Sequence, residues 1–266
     1  MLEWGTGPFK GSCDRCGREL PSEAKFCPAC GQAVGVLGYV SDPPAPVEIS
    51  DQRIFELHWK KIKLIGLLFG LLLASSFVLG IASRFGEFSW PEIIVVATDA
   101  LIVLIFATVC RRRIIPLLRL PEASRRSVLE MTVMGVGFFV SMGIYFAVLQ
   151  RLGVPMIRVS DHYRKAGYDL FVVFALVSLL PALVEELAFR GVIQSTLEDI
   201  FSARDAAIVQ AAMFSVLHLS PIVFPSHFIM GLCFGYARSR WRSLFPGMIL
   251  HASWNALVVY QEVHWA

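Results

Sequence analysis

The chain alternates long apolar segments with short polar ones from residue 64 onward. The first apolar segment, 64–83, carries no charged residue and has the length of about 20 residues that crossing a bilayer requires. Six further apolar segments follow, at about 91–110, 128–150, 169–189, 206–222, 226–238 and 243–263. The pattern predicts an all-α fold, a polytopic transmembrane helical bundle of about seven spans, in which the two segments within 206–238 are the shortest.

Composition agrees with this pattern. The 266 residues are 56% hydrophobic and 17% charged, whereas soluble domains contain about 45–50% apolar and about 25% charged residues. The excess of apolar residues is concentrated in the long segments, so we expect most of the chain to lie in the membrane.

Basic residues cluster at three places between the apolar segments. They precede the first segment and follow the second and the sixth, at Lys60, Lys61, Lys63, Arg111, Arg112, Arg113, Arg119, Arg125, Arg126, Arg238, Arg240 and Arg242. The positive-inside rule then predicts a multi-pass protein of the cytoplasmic membrane with its N-terminus in the cytoplasm. The basic loop after the third segment, with Arg151 and Arg158, conflicts with this alternation. We interpret the clusters as topology signals in contact with membrane lipid, and we predict no nucleic-acid partner.

Four of the six cysteines lie near the N-terminus, in two CxxC pairs. Cys13 and Cys16 form the first pair, and Cys27 and Cys30 form the second, a separation that can place four thiolates around one tetrahedral Zn²⁺. Two disulfides are the alternative, but the predicted cytoplasmic side is reducing. Four cysteine ligands leave no open coordination position, so the pattern predicts a structural metal in a segment that resembles a zinc ribbon.

These features divide the chain into three parts. We predict a zinc ribbon over residues 1–40, a Pro-rich linker and juxtamembrane segment over 41–60, and a membrane domain over 61–266. The stretch Ser41–Pro46 contains three prolines and is expected to be extended. A protein partner for the ribbon, a role in substrate recruitment and a role in dimerisation all stay open at this point.

Ionisable residues occur within the later apolar segments, where they are costly and therefore candidates for function. Glu186 and Arg190 are four residues apart, hence on one helical face, where they can pair. Glu185 points about 100° away around the same helix and is available to another partner. The alternative is that both carboxylates mark the edge of the membrane.

Three further polar residues lie in two other segments. His218 follows an apolar run, and a single histidine there is often only a satisfied core residue. His251 and Asn255 are four apart on one face, where they could also clamp neighbouring helices together. A carboxylate beside an imidazole can deprotonate a water molecule, and a second imidazole with an amide can donate hydrogen bonds to an oxyanion. Taken together, these groups predict a hydrolytic site.

In this order the residues resemble the three motifs of the CAAX-protease and bacteriocin-processing (CPBP, or Abi) family of intramembrane endopeptidases. The motifs are Glu185-Glu186-x-x-x-Arg190, Phe214-x-x-x-His218 and His251-x-x-x-Asn255. The resemblance covers about residues 165–262. It implies a helical membrane fold that hydrolyses a peptide bond at or within the bilayer. The implied substrate is a peptide or a lipidated protein, such as a CAAX-type prenyl protein or a bacteriocin precursor.

The resemblance also implies a role for each matched residue. Glu185 is expected to be the general base that activates water, and His218 to position and polarise that water. His251 and Asn255 are expected to stabilise the oxyanion. The supporting pair would be Glu186 with Arg190.

Two questions stay open from the residues alone. Two histidines and a glutamate can hold a catalytic Zn²⁺, although the HExxH pattern is absent, and Asn255 favours a mechanism without metal. A non-catalytic scaffold or immunity-type protein of the same fold, or less plausibly a proton-linked transporter, would also place ionisable residues in spans. Asp99 is expected to be a structural polar contact and His227 to lie at the membrane interface.

Overall fold

The computed structural model describes residues 9–13, 16–21, 24, 26–30, 51–85, 90–155 and 158–264. The chain divides into two compact units, Met1–Ile54 and Phe55–Ala266. The first unit contains an antiparallel pair of strands, β1 (Phe9–Ser12) and β2 (Glu19–Pro21), with Ser12 opposite Glu19. The predicted linker at Ser41–Pro46 lies outside the described residues.

Helices make up the rest of the described chain. They are α1 (Asp51–Phe85), α2 (Trp90–Val109), α3 (Arg111–Ile114), α4 (Arg125–Arg151), α5 (Val159–Lys165), α6 (Leu170–Leu197), α7 (Ala203–Leu217), α8 (Phe224–Trp241) and α9 (Phe245–His264). The prediction of a helical membrane bundle with a small N-terminal cysteine-rich head is confirmed.

Three of these helices are long and apolar enough to cross a membrane: α1 over Asp51–Ile81, α4 and α6. A fourth span results if α2 and the segment Arg111–Leu117, which bend by 85° at their junction, are counted together. The predicted number of seven spans is not confirmed. The 15 residues of α7 measure about 22 Å at 1.5 Å per residue, less than the hydrocarbon core of about 30 Å.

The surface of α4 shows what the long helices present to their surroundings. Apolar side chains three and four residues apart are exposed along one face, at Leu129, Val133, Val136, Val140 and Ile144. The opposite face carries the buried residues Gly135, Phe138 and Met142. An exposed apolar stripe on a helix of this length suits contact with lipid tails, which supports the membrane assignment.

The core of the bundle lies where α6, α7 and α8 meet. Phe189, Phe214 and Phe234, one from each helix, are fully buried. The rings of Phe189 and Phe214 pack edge to face, with centroids 5.1 Å apart. This aromatic centre surrounds the buried polar groups of α6 described below.

The path of α6 is not a uniform α-helix. Two stretches, Ala175–Leu179 and Leu187–Ile193, are wound as π-helix, and the α-helical turn Leu180–Glu186 lies between them. Pro181 has no N–H to donate to the carbonyl of Val177 one turn earlier, which is a local reason for the first interruption. The two candidate carboxylates therefore lie on a short α-helical segment between two wider turns.

Candidate active site and cysteine cluster

The four cysteines of the N-terminal unit face one another. Sγ of Cys13 lies 3.6 Å from Sγ of Cys30, and Sγ of Cys16 lies 3.6 Å from Sγ of Cys27. All four sulfurs lie within 4.8 Å of one another, and none forms a disulfide. Thiolates about 2.3 Å from a tetrahedral Zn²⁺ would be about 3.8 Å apart, so the cluster has the dimensions of a structural metal site.

Local backbone geometry supports this arrangement. Gly17 turns the chain after Cys16 with a φ of +69°, and its N–H donates to the carbonyl of Cys13 at 2.7 Å. Burial raises the pKa of the Cys27 thiol, but hydrogen bonds from the backbone of Ala29 and Cys30 and from neighbouring thiols outweigh it, and the pKa falls to about 6. Cys27 is therefore mainly a thiolate at neutral pH, the form that binds metal.

In the membrane unit, Glu186 and Arg190 form a buried ion pair on α6. Nη1 of Arg190 lies 2.9 Å from Oε1 of Glu186, and neither residue is exposed. The guanidinium carbon lies 4.5 Å from the ring centroid of Phe214 and 5.3 Å from that of Phe234. A desolvated cation over an aromatic face gains about 2 kcal/mol. The positive charge is thus held between two rings and neutralised by Glu186.

His251 of α9 lies between the two adjacent carboxylates of α6. Its Nδ1 is 3.2 Å from Oε1 of Glu186, and its Nε2 is 3.7 Å from Oε2 of Glu185. A carboxylate oxygen can only accept, so Nδ1 carries the proton that Glu186 receives as a hydrogen bond. The Nε2 atom of His251 consequently faces Glu185.

The start of α9 fits closely against Glu186. A Cβ atom on Gly247 would lie 2.6 Å from Oε2 of Glu186, closer than real Cβ contacts allow. Glycine at this position therefore lets the backbone of α9 approach the carboxylate, one turn before His251.

Asn255 lies one turn after His251 on α9 and contacts the backbone of α6. Its Nδ2 donates to the carbonyl oxygen of Val177 at 3.3 Å. Pro181 cannot donate to this carbonyl, because proline has no backbone N–H. One N–H of the Asn255 amide is thereby used to join α9 to the π-helical turn of α6, and the second N–H is available to another acceptor.

His218 ends α7 and faces a cavity of about 370 Å³. Leu217 and Leu219 lie beside it, and helices α1, α2 and α6 form the rest of the wall, with Leu72, Ser76, Leu79, Gly80, Val96, Asp99, Val103, Leu180, Pro181, Val184, Glu185, Ala188 and Phe189. Nδ1 of His218 donates to the carbonyl of Phe214 at 2.9 Å, so Nε2 is the nitrogen without a backbone partner. His218 and Glu185 thus share one cavity, and no direct contact joins them within the described part of the chain.

One cluster contains four of the six candidate residues: Glu185, Glu186, Arg190 and His251. His218 lies across the cavity, and Asn255 lies one turn along α9.

Sequence reasoning missed the close fit at Gly247. It expected a structural contact for Asp99, which accepts a hydrogen bond from Ser75 Oγ at 2.5 Å and also lines the cavity. It expected an interfacial position for His227, and the ring of this residue packs on that of His218, with centroids 3.8 Å apart.

The possible ligands differ between the two sites. Among the residues that the structure describes, the cysteine cluster is the one group of three or more potential ligands whose donor atoms lie within 4.8 Å of one another. Glu185, His218 and His251 do not converge to this extent, and Nδ1 of each ring already donates to an oxygen. The arrangement suits proton transfer and hydrogen bonding.

Comparison with family models identifies both units. Residues 167–257 match the model for type II CAAX prenyl endopeptidases, Rce1-like, and residues 12–34 match a zinc-ribbon domain. Searches of curated proteins and of solved structures gave no match. The first range includes α6, α7, α8 and all seven motif residues, which confirms the resemblance seen in the sequence. The chain is an integral membrane protein in which residues 167–257 match the Rce1-like CAAX prenyl endopeptidase model and residues 12–34 match a zinc-ribbon model.

Proposed function

We propose that this protein is an intramembrane endopeptidase that uses Glu185 as the general base. One observation carries the proposal: Glu185 lines a cavity, and its Oε2 is buried without a hydrogen-bond partner among the described residues. A buried carboxylate oxygen without a partner is costly unless a substrate or a water molecule donates a hydrogen bond to it. The imidazole of His218 lines the same cavity, and Nε2 of His251 lies 3.7 Å from Oε2 of Glu185. The match to an endopeptidase family supports this assignment.

In the proposed reaction, a water molecule binds between Glu185 and Nε2 of His218. Glu185 takes one proton from this water while its oxygen adds to the carbonyl carbon of the scissile bond. The resulting oxyanion accepts hydrogen bonds from Nε2–H of protonated His251 and from the second N–H of Asn255. The C–N bond then breaks, and the proton held by Glu185 passes to the leaving nitrogen, giving a carboxylic acid and an amine.

Charge balance supports the role of His251 as a donor. Glu185 and Glu186 contribute two negative charges, and Arg190 contributes one positive charge. The buried cluster therefore becomes neutral when it binds one further proton. That proton can reside on Nε2 of His251 or on Glu185, whose oxygen lies 3.7 Å away. A proton shared in this way is available at each step of the hydrolysis, and Glu186 with Arg190 orients the ring that carries it.

The proposed substrate is a peptide or lipidated protein at the membrane, of the CAAX-type prenylated or bacteriocin-like class. Apolar side chains predominate in the cavity wall, which suits a segment partly inserted in lipid. We propose that the basic loops face the cytoplasm together with the N-terminus. Ion pairs gather residues of all three basic clusters around acidic partners: Lys61 and Arg113 with Asp199, and Arg126 and Arg240 with Glu130.

We further propose that the metal of the cysteine cluster is a structural Zn²⁺. The sulfur separations and the thiolate character of Cys27 support zinc, and the ribbon is then available to bind a protein partner. A head of this size has too small an apolar core to be stable alone, so metal binding would supply its folding free energy.

The test of the proposed function is a cleavage assay with purified full-length protein in lipid nanodiscs. A prenylated CAAX peptide, its unprenylated form and a bacteriocin-leader peptide are offered, and the products are identified by mass spectrometry. We expect cleavage of at least one by the wild type and a loss of about 100-fold or more in Glu185→Gln, the usual contribution of a general base.

The matched control is Glu122→Gln, which changes an exposed carboxylate in a loop. It should cleave at the wild-type rate. If no peptide is cleaved by the wild type, the scaffold alternative gains support. Cleavage by Glu185→Gln at the rate of the control would defeat the role of Glu185.

A further inference from the structure

His227 occupies a position that the proposed chemistry does not use. It lies in the first turn of α8, between the aromatic centre of the bundle and the end of α7. Its ring centroid is 3.8 Å from that of His218 and 5.8 Å from that of Phe214, with the His218 and His227 planes tilted by 43°. The first distance is van der Waals contact. His227 is not part of the cavity wall, so it contacts the site through His218.

The surroundings of His227 fix its ring firmly. Nδ1 lies 2.9 Å from the carbonyl of Val223, which requires a proton on that nitrogen, and 3.2 Å from Oγ of Ser226. The backbone N–H of His227 donates to the same carbonyl at 3.0 Å. Pro225 restricts the backbone of this turn. The ring is therefore anchored to the start of α8 independently of His218.

His218, in contrast, is placed where a helix ends. Leu219, the next residue, has a φ of +50°, so the chain leaves the helix directly after the imidazole. Besides the hydrogen bond to Phe214, the ring has the edge-to-face contact with Phe214, at 5.0 Å, and the closer contact with His227. Without the His227 ring, one face of the imidazole would lose its support.

We propose that His227 is a positioning residue, whose anchored ring holds the imidazole of His218 with its Nε2 directed into the cavity. The proposal rests on the proposed function, because the purpose of this orientation is to bind the water molecule that Glu185 activates. The contact requires a flat ring at position 227 and does not require a ring nitrogen facing His218. An aromatic replacement should therefore preserve the role.

The kinetic test uses His227→Ala and His227→Phe in the full-length protein, with a peptide that the wild type cleaves. We expect His227→Ala to lower kcat by about 10- to 100-fold, since a misplacement of about 1 Å can cost this much. KM should stay unchanged, because position 227 does not line the cavity. His227→Phe should recover kcat to within about threefold of the wild type.

The control variant is Phe228→Ala, which removes a ring of similar size from the same turn of α8. Phe228 stacks on Phe224, with centroids 6.1 Å apart, and no ring contact joins it to His218 in the described part of the chain. It should leave kcat unchanged, and all three variants should melt within a few degrees of the wild type. If His227→Ala keeps the wild-type kcat, or if His227→Phe is as impaired as His227→Ala, the positioning role is wrong.

A second measurement does not depend on activity. Histidine labelled with ¹⁵N in its ring reports by NMR which nitrogen carries the proton, and His218→Gln identifies the signal of His218. The wild type and His227→Phe should show His218 protonated at Nδ1, and His227→Ala should show a mixture of tautomers. An unchanged His218 signal in His227→Ala would overturn the inference, whereas a protein that cleaves no peptide would defeat only the proposed function.

Discussion

Two adjacent glutamates of α6 have different surroundings because successive helical side chains point about 100° apart. Glu186 points into the aromatic centre and is neutralised by Arg190, at 2.9 Å. Glu185 points toward the cavity and has one buried oxygen without a hydrogen-bond partner among the described residues. His251 touches both. This difference is the physical basis for giving Glu186 a supporting role and Glu185 the chemistry.

The close fit at Gly247 leads to a prediction. In Gly247→Ala the new methyl group would lie 2.6 Å from Oε2 of Glu186, so the carboxylate or α9 must move. We expect a loss of about 1–3 kcal/mol in the free energy of unfolding, the usual cost of overpacking. Cleavage should fall as well, because Glu186 orients His251. Thermal melting and the peptide assay measure the two effects.

Gly137→Ala is the control, since a Cβ there would meet nothing within 4 Å. It should leave cleavage unchanged and should stabilise α4 slightly, by about 0.5–1 kcal/mol. Equal behaviour of the two variants would mean that Glu186 moves aside freely and that its position does not matter for activity.

At the scale of single residues, spacing alone predicted which side chains share a helix face. Glu186 and Arg190, four residues apart in sequence, form an ion pair in the structure. Cys13, Cys16, Cys27 and Cys30 lie together, as the CxxC pairs indicated. Contacts between helices could not be read in this way. The packing of His227 on His218 depends on where α8 begins relative to the end of α7, which no local pattern specifies.

At the scale of elements, a carbonyl of α6 that lacks its usual helical donor is bonded by a side chain of α9. Pro181 cannot donate to the carbonyl of Val177, and Asn255 of α9 donates to it instead. Ser178 in the same π-helical turn donates to the carbonyl of Ala252 at 3.3 Å. The two hydrogen bonds join α9 to α6, and they hold Asn255 one turn from His251. A proline implies a carbonyl without its usual donor, but the donor that meets it depends on how α9 packs against α6, which no local pattern specifies.

The number of spans was harder to predict than their existence. A run of apolar residues indicates burial, in lipid or in protein, and does not distinguish the two. Helix α7 is apolar because Phe214 and Ala211 face the core, and it is too short to cross a bilayer alone. Polar groups such as His251 and Asn255 lower the apolar character of α9 at the site itself.

The cysteine cluster gives a prediction at the scale of one element. The wild-type protein should contain one zinc ion per chain by mass spectrometry, and the double variant Cys13→Ser, Cys16→Ser should contain none. A chelator should remove the zinc from the wild type and unfold the ribbon, because the metal supplies the folding free energy of so small a unit.

The same variant separates the two candidate metal sites. Its peptide cleavage should persist in the presence of the chelator, since the proposed site uses Glu185, His218 and His251 without metal. Loss of cleavage under chelation in this variant, which has no ribbon metal to lose, would show that the membrane site itself needs one.

In the whole membrane unit, residues from separate helices meet at Asp199, just beyond α6. Lys61 of α1 lies 3.1 Å from its carboxylate and Arg113 of α3 lies 2.5 Å from it. Burial raises the pKa of Asp199, but the hydrogen bonds from Arg113 and Lys61 outweigh it, so the pKa lies below its ordinary value. The lowered pKa means that Asp199 stabilises the fold while ionised, and that this contribution is lost as the pH falls below about 4.

Asp199→Asn tests this link between the helices. At pH 7 we expect the variant to lose about 1 kcal/mol, or about 2–4 °C in melting temperature, which is typical of a partly exposed ion pair. The difference from the wild type should begin to shrink as the pH falls below about 4, the ordinary pKa of Asp, and should vanish once the pH is below the lowered pKa of folded Asp199. A difference that stays constant with pH, or that equals the effect of Glu122→Gln, would show that the ion pairs do not contribute.

The cavity extends beyond the part of the chain that matches the endopeptidase family. Helix α6 and the end of α7 form one wall within residues 167–257, and α1 and α2 form the other. Asp99 of α2 contributes a carboxyl group to that second wall. The motifs contain the groups of the proposed chemistry, whereas the shape of the cavity also depends on helices for which the sequence offered only an apolar pattern.

The most direct test of the account compares Glu185→Gln with Glu186→Gln in both the cleavage assay and thermal melting. Glu185→Gln should lose at least about 100-fold in kcat and melt as the wild type does. Glu186→Gln should lose about 3 kcal/mol or more, because it leaves the buried Arg190 without its counter-charge. Wild-type cleavage by Glu185→Gln, or the two substitutions giving the same pattern of effects, would contradict the assignment of Glu185 as the base.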